Sequence, residues 1–370
     1  MGIASGIILF VVCLTGTMYA FRAEIEQLIE PDKYRVEAPA DAERMSAEDI
    51  FVRLQQQTGG KATSISLPYS VEEPYKVTIR QAEEEGRGTT YFVNPYTAEI
   101  QGTTDSPSSE FFMTVFKLHR WILLERSVGR VVVGIATVIF VFIIFSGMVL
   151  WWPKKFKHLK QSLSIKTSAN WKRINHDLHN SLGFYASLLL LVMALSGLCW
   201  SFEWYRDGLG AVLGTKVFGS RGSSEEVVST ITEDAMPVSI SEVVNKGNDV
   251  LPYAGDYSIS YPEQPEGTIS IRKYRPASFS GLTAYDLLLL DQYSGEVLFT
   301  DIYSERPFNE KISTMIKPIH TGEIFGTFSK ILYFLASLIG TSLPITGVLI
   351  WINKLKKKRK KGQKQTASAA

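Results

Sequence analysis

Four apolar runs divide this 370-residue chain: Ile3 to Phe21, Val131 to Trp152, Leu182 to Phe202 and Ile331 to Ile352. None contains a charged residue, and the second holds 22 uncharged residues in a row. A helix needs roughly 20 apolar residues to cross a bilayer, so each run predicts a membrane span. Pro344 inside the fourth run predicts a kink, tolerated where neighbouring helices satisfy the freed carbonyl.

Between the first and second runs, and again between the third and fourth, the pattern shortens. Ser46-Ala47-Glu48-Asp49 has the form of a capping box and opens a helix to about Thr58, which Gly59-Gly60 ends. Strand-like stretches follow at Thr63–Pro68, Tyr75–Gln81, Thr89–Val93 and Ala98–Gln101. The later interval has the same order. A helix near Ser239–Asn245 precedes strands near Tyr257–Tyr261, Thr268–Tyr274, Ala284–Leu290 and Glu296–Thr300. The turn beginning Asp291-Gln292-Tyr293 echoes the one beginning Asn94-Pro95-Tyr96. The chain therefore reads as span, module, span, written twice, and each module as one helix on a small antiparallel sheet.

A small-residue pair marks the same place in every run: Thr15-Gly16, Ser146-Gly147, Ser196-Gly197 and Thr346-Gly347. Small residues let membrane helices approach closely, and Ser or Thr can bond back to the helix backbone. Four copies in register argue for an internal duplication. Histidines follow the repeat. His119 lies 28 residues before Gly147 and His320 lies 27 before Gly347, while His179 and His176 lie 18 and 21 before Gly197. The same offsets applied to Gly16 place a first-run histidine about two to five residues ahead of Met1.

Charge orients the spans. Pro153 to Asn175 carries seven Lys/Arg and no acid, and Asn353 to Ala370 carries eight and no acid. The two long intervals, 22–130 and 203–330, each carry 18 acids against 13 and 11 basic residues. The positive-inside rule puts both basic segments and both termini in the cytoplasm and the two modules outside. The basic tail then reads as a topology signal that meets anionic lipid rather than as a nucleic-acid site. Cys13 and Cys199 lie within spans and form neither a disulfide framework nor a C-x-x-C-H haem attachment motif.

The segments are 1–21, first span; 22–118, exterior module; 119–152, amphipathic segment and second span; 153–175, basic loop; 176–203, third span; 204–319, second module; 320–353, fourth span; and 354–370, basic tail. The fold class is an integral membrane α-helical protein with four transmembrane helices and two small α+β exterior modules.

Four of the five histidines lie near span ends, and a histidine in a membrane bundle is a functional candidate. The plain alternative is an interfacial ring bonded to water or headgroups. His176 and His179 are three apart and share a helix face. No carboxylate or cysteine set stands beside these histidines in sequence, which weakens a zinc or di-iron site. Two imidazoles from different helices in apolar surroundings suit the axial positions of a b-type haem. His119 with His320 would hold one at the outer face. His179, with His176 or the upstream histidine, would hold one at the inner face. Arg120, Arg126 and Arg130 either pair with haem propionates or snorkel at the interface. His158, in the Lys-rich loop, reads as solvated.

Leu118-His119-Arg120-Trp121 with Gly129-Arg130, the Ser146-Gly147 to Trp151-Trp152 ending, Asp177-Leu178-His179, and His320-Thr321-Gly322 resemble the PepSY-associated transmembrane proteins. The resemblance covers almost the whole chain and implies that the modules are PepSY domains. It implies a bacterial inner-membrane protein with two haem b groups and periplasmic modules, which reduces a ferric siderophore or other ferric chelate to release iron. The metal ligands it points to are His119, His320 and His179, with His176, Arg120 and Arg130 at the cofactor. The chain departs from the family at its start, where a further histidine segment is expected. No G-x-G-x-x-G opens a helix, so the electron donor is expected to be quinol or a cytoplasmic reductant. The other readings are a membrane-anchored PepSY module that binds peptides or proteases, and a transporter of haem or iron chelate.

Overall fold

The computed structural model describes residues 2–39, 43–81, 88–218, 227–231, 236–275 and 284–369. The chain forms two compact units, each drawn from separate stretches of sequence. One is residues 1–21, 112–217 and 315–370, and the other is 22–111 and 218–314.

The first unit is helical. It contains α1 (Gly2–Ala20), most of α5 (Pro107–Trp121), α6 (Arg126–Trp151), the short α7 (Leu159–Ser162), α8 (Trp171–Asp177), α9 (Gly183–Ser201), α10 (Glu203–Leu213), α13 (Ile316–Thr321) and α14 (Gly326–Ala369). Three of its helices are long and apolar enough to cross a membrane: Arg126–Trp151, Trp171–Ser201 and Glu323–Arg359. With α2 (Arg22–Ile29) across the break at Phe21, α1 makes a fourth candidate. Packing closes a ring, in which α1 touches α14 and α6, and α9 touches α6 and α14. Many faces of this ring stay apolar and exposed, as at Phe142, Val149, Leu150, Leu188 and Leu338. That surface suits lipid, where apolar side chains need no burial in protein.

Two sequence expectations change here. The third run starts earlier than Leu182, because α8 and α9 join through a π-helical segment, Leu178–Leu182, into one helix from Trp171. Asn170 caps it by accepting the Arg173 N–H at 3.1 Å. The basic tail continues α14, which also runs through Pro344 as one helix. Gly6 stands opposite the Pro344 ring, where α1 offers no side chain.

The second unit holds α2, α3 (Pro31–Tyr34), α4 (Ala47–Thr58), α11 (Ile240–Val250), α12 (Phe308–Thr314) and one eight-stranded antiparallel sheet. Its strands are β1 (Lys61–Leu67), β2 (Tyr75–Arg80), β3 (Thr89–Val93), β4 (Ile100–Thr103), β5 (Asp256–Ser260), β6 (Thr268–Tyr274), β7 (Tyr285–Asp291) and β8 (Val297–Asp301). The order is β4-β3-β2-β1-β5-β6-β7-β8. Two separate sheets are therefore the wrong picture. Each four-stranded half would end in an unpaired row of backbone groups at β1 or β5. Pairing those edges, Ile65 opposite Ile259, satisfies both.

The halves match in detail. Ser46 caps α4 and Ser239 caps α11, each accepting the N–H three residues on. Asn94 Oδ1 takes the Tyr96 N–H and Asp291 Oδ1 the Tyr293 N–H, both at 2.8 Å. The turn residue at positive φ is Gly295 in one half and Ala98 in the other. Alternate residues of the strands, with Ile50, Leu54, Ile240 and Val243 of the helices, make one shared core.

Ser64 and Ser260 face each other across the β1–β5 joint. A Ser64→Cys/Ser260→Cys pair is expected to oxidise to a disulfide in the folded full chain, seen as a mobility shift. A Ser64→Cys/Lys273→Cys control, whose partner lies on the next strand over, should stay reduced.

Asp291 also predicts a pH dependence. Burial opposes its charge, but the backbone N–H groups of Ser294, Thr230 and Tyr293 outweigh that and hold its pKa below the ordinary carboxylate value. A depressed carboxylate contributes stability above its unfolded pKa and loses it as pH falls through the folded one. Asp291→Ala should cost about 1–3 kcal/mol at neutral pH. Measured by denaturant unfolding, that difference from wild type should shrink below about pH 4.

Candidate functional site

Three imidazoles enter the helical unit, and each is received by one of the hydroxyl–glycine pairs. His119 is in the last turn of α5. Its Nδ1 lies 2.9 Å from the Val12 carbonyl and 3.4 Å from Thr15 Oγ1 of α1. His320 is in the last turn of α13. Its Nδ1 lies 2.9 Å from the Met193 carbonyl and 3.1 Å from Ser196 Oγ of α9. A carbonyl oxygen only accepts, so both Nδ1 atoms carry the proton and donate it. The remaining nitrogen, Nε2, keeps its lone pair and has no hydrogen bond to a described residue.

The two ring centroids lie 6.2 Å apart, with the ring planes tilted 58° to one another. A metal–imidazole bond of about 2 Å on each side, plus roughly 1.1 Å from nitrogen to ring centre, separates two coaxial imidazoles by about 6 Å. The centroid distance of the pair thus matches that of two imidazoles on opposite sides of one metal. Trp200 stands beside it, 5.3 Å from the His320 ring centre. Among the described residues, no group of three or more His, Cys, Asp or Glu side chains is placed to hold a bare metal ion.

Sharp chain reversals hold these histidines at helix ends. After Trp121 the chain turns through Ile122 and Leu123, both at positive φ. Leu124 N–H returns to the Trp121 carbonyl at 2.9 Å. The first turn of α6 then lies so close that a Cβ on Gly129 would overlap that carbonyl. On the other side Gly322, at φ +79°, ends α13, and Tyr333 fills the space a side chain there would need.

Arg120 and Arg130 lie in the same turn region. The Arg120 guanidinium rests over Phe116 and Trp121, at 5.5 and 5.6 Å from their ring centres. Arg130 Nη1 meets Glu203 at 3.3 Å. Arg130 Nε and Trp121 Nε1 are both buried and have no hydrogen-bond partner among the described residues. Two orphaned donors in the turn that follows His119 are what a carboxylate-bearing group would satisfy, and they fit a haem propionate.

The third imidazole is separate. His179 lies in the π-helical segment, a geometry that often marks functional sites, with Nδ1 2.8 Å from Thr346 Oγ1 of α14. Asn175 Nδ2 donates to the Thr346 carbonyl at 3.1 Å. His176 turns elsewhere, contacting Asn180 at 3.1 Å and Asp177 at 3.5 Å, with its side chain about half exposed. His179 and not His176 therefore faces α14. Sequence reasoning treated Thr15, Ser196 and Thr346 as packing residues and did not assign them to histidines. The signal was their fixed place beside glycine, but it cannot say which histidine meets which pair.

The model of the PepSY-associated TM region matches residues 1–354. The chain belongs to this family. It is accordingly a membrane protein with PepSY domains. No curated protein matches the chain.

Gly129→Ala tests the reversal that sets His119. It is expected to cost about 1–3 kcal/mol or more by overpacking against a backbone carbonyl, read as a lowered melting temperature in detergent. Gly147→Ala, where no described atom lies within 4 Å of the added methyl, should melt like the wild type.

Proposed function

We propose that this PepSY-family protein is a haem-b transmembrane reductase that delivers electrons to a periplasmic ferric siderophore or similar ferric chelate. The single observation that carries the reading is the His119–His320 pair, with ring centres 6.2 Å apart and each Nδ1 bonded to the backbone of a different helix, α1 and α9. Haem b, when bound, supplies reversible one-electron transfer through an apolar interior. The residues do the rest. His119 and His320 present Nε2 lone pairs from two different helices. Arg130 and Trp121 offer unpaired donors for the carboxylates, and Arg120 adds positive charge. His179 is the ligand of a second, inner centre.

In this reading α1, α6, α8–α9 and α14 are four spans of the bacterial inner membrane. Both termini are cytoplasmic, because the basic stretches Lys154–Arg173 and Lys354–Lys364 lie at the inner ends. The sheet unit is periplasmic, and the matching halves of each unit record one internal duplication. Quinol or a cytoplasmic reductant donates on the inner side. Reduction frees the metal because Fe(II) is less charged and softer than Fe(III), and so holds oxygen chelators less tightly.

The test is an absorption spectrum of detergent-purified protein, oxidised and dithionite-reduced, with a pyridine haemochrome count. Reduced b-type bands are expected. His119→Ala and His320→Ala should each remove the same one haem, and with it reduction of a ferric chelate added to right-side-out vesicles. Absence of haem after expression with haem supplied would sink the reductase and leave a membrane-anchored peptide-binding module. Net uptake of chelate or haem without reduction would instead mark a transporter.

A further inference from the structure

The three hydroxyl–glycine pairs share one geometry. In each, the hydroxyl donates back to the carbonyl four residues earlier. Thr15 donates to Val11 at 2.6 Å, Ser196 to Val192 at 2.6 Å and Thr346 to Ser342 at 3.0 Å. Its oxygen is then free to accept from an imidazole Nδ1. The carbonyl three residues earlier stands beside it: Val12, Met193 and Leu343. The first two take the histidine proton directly. On a helix, the side chain of a residue covers the turn before it, so each of these carbonyls would be covered by the residue four places on. That residue is Gly16, Gly197 or Gly347. A Cβ at Gly16 would sit 3.1 Å from His119 Cε1, at Gly197 3.1 Å from His320 Cε1, and at Gly347 3.4 Å from His179 Cε1.

We propose that Thr15-Gly16, Ser196-Gly197 and Thr346-Gly347 are positioning clasps, each of which seats one imidazole on a helix backbone, fixes its proton on Nδ1 and leaves Nε2 free to bind a metal. The glycine uncovers the carbonyl, and the hydroxyl orients the ring. The clasp makes the ring a better donor as well, since a hydrogen bond to the far nitrogen raises ligand basicity. The pair in α6 works as an internal contrast. Ser146 Oγ bonds the Ile143 carbonyl at 3.0 Å and Gly147 has no described atom within 4 Å of its Cβ position. The hydroxyl–glycine pair alone is thus compatible with an ordinary helix, and the clasp needs a histidine delivered to it.

The inference rests on the haem reading for its purpose, but its geometry is tested without haem. Full-length protein carrying ¹⁵N-labelled histidine, prepared haem-free in lipid bilayers, reports the protonated ring nitrogen by NMR. Wild type should show the Nδ1–H form for His119 and His320, assigned by loss of signal in the single His→Ala variants. Gly197→Ala should convert His320 to mixed forms and leave His119 unchanged. Gly16→Ala should do the reverse, and Gly147→Ala should change neither. Should the glycine variants fail to fold, Ser196→Ala keeps the test open, with Ser196→Thr expected to restore the wild-type spectrum. In haem-loaded protein, Gly197→Ala should lower haem affinity at the outer pair by about tenfold and shift its midpoint potential, while Ser196→Thr keeps both. Unchanged ring protonation and potential in Gly197→Ala and Ser196→Ala would overturn the clasp. Wild type that takes up no haem when haem is supplied, yet keeps Nδ1–H histidines, would retain the clasp and refute the reductase instead.

Discussion

A helix backbone has its hydrogen bonds turned inward, and its carbonyls are reachable from the side only where side chains stand clear. The helical unit of this protein depends on that exception. At Val12 and Met193 a glycine one turn on opens the carbonyl, and a histidine from another segment occupies the opening. The contact joins α1 to α5 and α9 to α13 by a polar bond between otherwise apolar surfaces. In lipid such bonds are of modest strength, on the order of 1 kcal/mol. Their larger effect is directional, since a ring held at Nδ1 has its other nitrogen aimed.

The same economy of parts explains the approach to the site. His119 and His320 each sit two or three residues before a reversal of chain direction, one built from Ile122 and Leu123 at positive φ and one from Gly322. The following helix packs against that reversal, and Gly129 and Tyr333 occupy its inner side. The histidines are therefore fixed from both directions, by the clasp at the ring and by the reversal at the backbone. Arg130 and Trp121, next to one reversal, keep buried donors that no described residue uses. Unused buried donors are costly, and their cost is offset if a carboxylate arrives.

In the sheet unit, the comparable constraint is the open edge. A four-stranded antiparallel half with one helix buries a single face and ends in free backbone groups. Joining β1 to β5 removes two edges at once and merges two small cores into one. The enlarged interior also holds charge. Lys273 is 1% exposed, donates to Asn248 and the Leu251 carbonyl at 3.0 and 2.7 Å, and lies against the Tyr253 and Tyr257 rings. Asp286, fully buried, accepts from Tyr253, Arg275 and the Tyr303 backbone. Asp286 is paired with the Arg275 guanidinium, while the Lys273 ammonium is met by neutral oxygens and ring faces.

Sequence alone determined what depends on short-range order. Apolar runs give the long helices, because lipid demands length and lack of charge. The Ser46 and Ser239 caps, the period-two strands and the Asn94 and Asp291 turns are local matters of a few residues, and they stand within about two positions of where the pattern puts them. Histidines and hydroxyl–glycine pairs were legible as a repeat. Tertiary structure decided the pairing. Thr15 meets His119 across 104 residues and Ser196 meets His320 across 124, and no local rule connects them. It also turned His179 toward Thr346 and His176 toward Asp177, because a π-helical segment shifts the angular register that i,i+3 spacing assumes. The single sheet belongs to the same class of decision. Whether two edges pair depends on what lies opposite in space, and a one-dimensional pattern holds no record of that.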